Sequence, residues 1–127
     1  MDTQREQLLE SLNTADTSEA FLLAIIVSVF LSLKALILQR EGICAALEGE
    51  QADLSLLYPI RHTASSITAG GLGYFLCLAA RTLAGTDPSD PVAVHSAQSN
   101  LLAAMLVFLA AGIRWDDVQF LRANGRL

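Results

Sequence analysis

Basic residues are scarce in this chain, and so is charge of either sign. Eight Lys and Arg stand against thirteen Asp and Glu, a formal net charge of −5. A nucleic-acid surface needs a basic patch to meet phosphate, so that partner class is excluded. The acidic residues are dispersed and form no tail. Charged residues make up only 17% of the chain, against about 25% in an average soluble domain. A soluble domain of 127 residues has a large surface for its volume and needs polar groups to cover it. Either lipid or a partner must cover the excess apolar surface here.

Cysteine and histidine are rarer still, with two of each. Cys44 and Cys77 form no CxxC pair, and two cysteines build no disulfide framework. Both read as free thiols at small buried apolar positions. His62 and His95 belong to no HxxxH or HExxH pattern, so no metal centre is expected. The chain has no G-x-x-x-x-G-K-[ST] loop and no G-x-S-x-G elbow. Gly70, Gly71 and Gly73 follow no strand, so they make no dinucleotide fingerprint. Asp116-Asp117 reads as a solvated helix face. These absences predict a protein without cofactor and without enzymatic activity.

What the chain does have is long apolar runs. AFLLAIIVSVFLSLKALIL, residues 20–38, holds thirteen Leu, Ile, Val or Phe and one charge, Lys34. Nineteen residues at 1.5 Å each reach about 28 Å, close to the ~30 Å hydrocarbon core of a bilayer. The thirteen large apolar residues favour insertion by about 4–8 kcal/mol. Lys34 lies near one end and can reach the headgroups along its stem. The run has no polar stripe, unlike a surface helix of a soluble bundle. A soluble helical protein hiding this run inside an assembly is the opposing possibility. The preceding stretch carries five acidic residues and only Arg5, which does not suit a cleaved signal. It reads as a separate short helix over 1–17. Asp16-Thr17-Ser18-Glu19 then resembles a capping box that starts span one at 18–38.

Two weaker spans follow. Span two is expected over 59–84, with Pro59 in its first turn, Tyr58 and Arg61 at one interface and Arg81 at the other. Ser66 and Gly70 are four apart, as are Ala69 and Gly73, and such small-xxx-small pairs let another helix come close. Span three is expected over 91–114. Asp90-Pro91 starts it, and Arg114 and Trp115 mark its far end. His95, Gln98 and Asn100 are the only strongly polar group near a span. They read as its outer end, with a wet path through the membrane as the sharper alternative. Residues 39–58 form a connection with a break at Gly49, 85–90 form an outer turn, and 115–127 form a tail that continues as helix to about Gly125.

Lys34, Arg40, Arg61, Arg114, Arg122 and Arg126 fall on one side, and Arg5 and Arg81 on the other. That asymmetry places the C-terminus in the cytoplasm and the N-terminus outside, in the plasma membrane of a cell. The expected fold is an all-α integral membrane bundle of three transmembrane helices with short helical extensions at both ends. The expected partners are the lipid bilayer and other membrane proteins or a second copy. The function that fits best is an accessory or assembly subunit acting through helix–helix contacts. Three spans with the N-terminus outside also resemble one class of phage lysis pores, the holins, in architecture. That resemblance implies a membrane permeabiliser. A transporter subunit that works as an oligomer is the third reading; no acidic residue lies deep in a span to serve as its proton relay.

Overall fold

The computed structural model describes residues 2–127 and is all α. Three helices make up the chain: α1, Asp2–Leu47; α2, Leu57–Ala84; and α3, Pro91–Ala123. Each is long and apolar enough to cross a membrane. The 46 residues of α1 extend about 69 Å, more than twice a hydrocarbon core, so both of its ends project well beyond one.

Local chemistry explains the helix ends. Asp90 caps α3, its carboxylate accepting from the Ala93 N–H at 3.1 Å, and Pro91 takes the first helical position. α1 ends where Gly49 adopts φ +77°, and Glu50 N–H returns to the Ala45 carbonyl at 2.8 Å. α3 ends the same way at Gly125, φ +68°, with Arg126 N–H on the Leu121 carbonyl at 2.9 Å. Both are Schellman closures, which need a residue at ease with positive φ. Between helices, Asp53 and Asp87 accept from the backbone N–H groups of Ser55 and Ser89. Those bonds, with help from the serine side chains, hold both carboxyls below the usual carboxylate range.

The separate helix expected over 1–17 does not exist as a unit. α1 runs unbroken through Asp16-Thr17-Ser18-Glu19 (Met1 lies outside the described residues). Thr17 and Ser18 donate backwards to the carbonyls of Asn13 and Thr14, both at 2.8 Å, instead of capping a new start. A hydroxyl bonded to the preceding turn is compatible with a continuous helix.

The three helices form a row rather than a triangle. α2 packs against both neighbours, while α1 and α3 do not approach each other among the described residues. Thr68, Gly71 and Tyr74 of α2 meet α1; His62, Ser66 and Gly73 meet α3. At about 100° per residue these two sets fall on opposite sides of α2. The contact ridges are built from residues seven apart, most of them small. On α1, Phe21, Ser28, Ala35 and Gly42 are buried or half-buried; on α2, Leu57, Ala64, Gly71 and Leu78; on α3, Ala97, Ala104, Ala111 and Val118. A seven-residue repeat is the signature of left-handed, coiled-coil-like packing. Small side chains bring the backbones close enough for van der Waals contact, which drives helix association where lipid removes the hydrophobic incentive. Cys44 and Cys77 are free, as expected, but both face outward instead of being buried. For Cys77 the reason is the row itself, which leaves two long faces of α2 uncovered.

Candidate functional site

Polar contacts between helices sit at three levels along the bundle. At one end, Ser18 Oγ and the Tyr74 hydroxyl lie 3.1 Å apart, and Phe21 stacks on the Tyr74 ring at 4.1 Å and 5°. Midway, Ser28 Oγ donates to the Ile25 carbonyl at 2.6 Å. It lies 2.7 Å from Thr68 Oγ1, which joins α1 to α2. Ser28 is 1% exposed, and its hydroxyl is satisfied twice, as a buried polar group must be.

The densest cluster is at the opposite end, between α2 and α3. The Tyr58 hydroxyl donates to Gln119 Oε1 at 2.9 Å, and Gln119 Nε2 lies 2.6 Å from His62 Nδ1. The amide oxygen is already taken by tyrosine, so the amide nitrogen donates and Nδ1 accepts. The ring hydrogen of His62 then sits on Nε2. Tyr58 and His62 stack at 5.5 Å, Arg122 lies over the Tyr58 ring at 4.7 Å, and Trp115 Nε1 donates to Ser66 Oγ at 3.1 Å. Aromatic rings with one polar edge suit the membrane–water interface. This cluster clasps α2 to α3 at that end of the bundle. It presents no nucleophile with an activating base. Among the described residues no three His, Cys, Asp or Glu converge on a metal position.

Beside the clasp, on an open face of α2, the gap between α1 and α3 forms a cavity of about 450 Å³. Its floor is small: Ala35, Ala64 and Ala111. Arg61, Arg114 and Asp117 line the same cavity. A smaller one of about 270 Å³ lies nearer the other end and includes Asn100 and Ala104.

The residues singled out for packing are divided by the fold. Gly73 meets the Phe108 ring, where an added Cβ would lie 3.2 Å from its edge. Ser66 receives the Trp115 indole, and Ala69 is half-buried. Gly70 looks outward, and a Cβ there would have nothing within 4 Å. The tightest of the glycines is instead Gly71, where a Cβ would lie 2.8 Å from Ile25 Cγ1. Among the residues placed at interfaces, Tyr58, Arg61, Arg114 and Trp115 gather at the clasp end. Lys34 faces outward beside Ala35 of the groove, and Arg81 faces outward near the far end of α2. His95, Gln98 and Asn100 are all exposed, with Asn100 on the rim of the smaller cavity. His62 and Gln119 carried no pattern that would have paired them. The seven-residue repeats of small residues were readable in the sequence and mark Gly70 and Gly71 alike.

No family model matches the chain, and comparison with curated proteins and with solved structures likewise found no match. The functional reading therefore rests on the chain's own geometry.

Proposed function

We propose that this protein is a non-enzymatic integral membrane subunit that works by helix–helix contact within the bilayer, with its N-terminus outside and its C-terminus in the cytoplasm. The observation that carries the reading is the row. α2 is held from two opposite sides, and the rest of its surface is open. One open face bears Thr63, Gly70, Cys77 and Ala84, outward-facing and seven residues apart. This is the same spacing of small residues by which the three helices hold each other, and it suits a further helix of another membrane protein or of a second copy. The six basic residues on one side of the spans support the orientation.

Photocrosslinking tests the reading. A photoreactive side chain in place of Gly70, in cell membranes, should give a discrete protein adduct. Adducts with lipid alone would overturn the subunit role. Induced expression should leave the membrane potential intact; an abrupt collapse would favour a holin-like permeabiliser. A C-terminal reporter active only in the cytoplasm should work, and activity of an exported-only reporter there would reverse the orientation.

A further inference from the structure

We infer that the groove between α1 and α3 is a binding site for an anionic phospholipid, with Arg61 and Arg114 holding its phosphodiester. The inference goes beyond the subunit role and uses a different face of α2. Arg61, Ser65 and Thr68 fall together on one side of that helix, opposite Thr63, Gly70 and Cys77.

Four observations combine. The cavity of about 450 Å³ is of ordinary ligand-site size, which runs from ~300 to ~1,000 Å³. Its charged groups are two arginines and one aspartate, from two different helices. A guanidinium presents a fixed fork of donors matched to phosphate oxygens. Among the described residues, neither Arg61 nor Arg114 spends those donors on a side-chain hydrogen bond, although the neighbouring clasp holds three. The depth is also right. Tyr58 and Trp115, the interfacial aromatics, lie one helical turn or less along the chain from Arg61 and Arg114 respectively.

The net charge of this lining is +1, which complements one phosphodiester rather than a multiply charged headgroup. Asp117, in the same lining, disfavours a second phosphate. Away from the charges, the cavity continues onto Leu36, Ala64 and Ala111, an apolar floor of no use to free phosphate but suited to the start of an acyl chain. The groove opens sideways between α1 and α3, so a lipid can enter from the bilayer without unfolding anything. Basic pockets between membrane helices are a recurrent means of binding anionic headgroups.

Native mass spectrometry tests this on the full chain in detergent, equilibrated with equimolar phosphatidylglycerol and phosphatidylcholine. One phosphatidylglycerol should be retained in preference to phosphatidylcholine. Each of Arg61→Gln and Arg114→Gln should weaken its apparent affinity about fivefold, and the pair about thirtyfold, at roughly one interfacial charge each. Circular dichroism checks that the variants stay helical. If they do not fold, Asp117→Asn decides: it removes the opposing charge and should leave affinity for phosphatidylglycerol equal or higher. Equal retention of both lipids by the unmodified protein would overturn the inference. So would displacement of the lipid by millimolar inorganic phosphate alone, which would make the site one for a free anion, or a loss of lipid affinity in Asp117→Asn.

Discussion

Three neighbouring glycines of α2 make an internal ruler for how closely the helices pack. Consider Ala placed at Gly70, Gly71 or Gly73 in turn. All three lie well inside one helix, so the gain in helix propensity, about 0.8–1.0 kcal/mol, is common to them and cancels in the differences. What differs is the space. At Gly70 a Cβ meets nothing within 4 Å, so Gly70→Ala should be neutral to stabilising by up to about 1 kcal/mol. At Gly73 the Cβ would lie 3.2 Å from the edge of Phe108, and the ring needs to shift by only a few tenths of an ångström. At Gly71 it would lie 2.8 Å from Cγ1 and 3.0 Å from Cδ1 of Ile25, and 3.8 Å from the Phe21 carbonyl oxygen. Cγ1 is not the free end of a side chain, so α1 must move away or Ile25 must change rotamer. Forced overpacking of this kind costs about 1–3 kcal/mol. Gly71→Ala should therefore be less stable than Gly70→Ala by about 1–3 kcal/mol, with Gly73→Ala between them. Reversible unfolding in mixed detergent micelles, followed by circular dichroism, measures the three. Ile25→Ala should recover much of the loss in the Gly71→Ala background while costing stability on its own. Equal stability of Gly70→Ala and Gly71→Ala would refute the arrangement of α1 against α2.

Two further outcomes follow from the same structure. Val27 faces outward near the middle of the apolar run of α1, so Val27→Arg should impair membrane insertion, at about 2.5–3.5 kcal/mol. Lys34→Leu should leave insertion intact; a fractionation assay that found full membrane yield for Val27→Arg would contradict a spanning α1. Gln119→Ala removes two of the three hydrogen bonds of the clasp, worth about 0.6 kcal/mol each in a membrane bundle, and should lower stability by about 1 kcal/mol in the same unfolding assay. An unchanged midpoint would mean that aromatic stacking and the Trp115–Ser66 hydrogen bond hold that end together without Gln119.

The three helices long and apolar enough to cross a membrane were legible in the sequence because length and apolar content decide them, and both are local properties. The cap at Asp90-Pro91 and the stops at Gly49 and Gly125 were legible for the same reason: each is settled within a few residues. The continuity of α1 was not. Asp16-Thr17-Ser18-Glu19 offers hydroxyls that can cap a new helix or bond back to the previous turn, and the sequence alone does not choose between the two uses. Packing phase was hidden in a more instructive way. A small-xxx-small pair specifies a spacing of four, and α2 contains enough small residues that several faces satisfy it. A longer repeat narrows the choice, because Ala64, Gly71 and Leu78 recur with the same period as Phe21, Ser28 and Ala35 on α1, and two ridges must share a period to stay in contact over several turns, but it does not by itself separate Gly71 from Gly70. Gly70 belongs to the parallel repeat with Thr63 and Cys77, about 100° around the helix from Gly71. One helix thus carries two small-residue ridges of the same period. The first is filled by α1. The second is uncovered, which is why Gly70 tolerates a larger side chain within the isolated chain yet remains the position where a further helix would come closest.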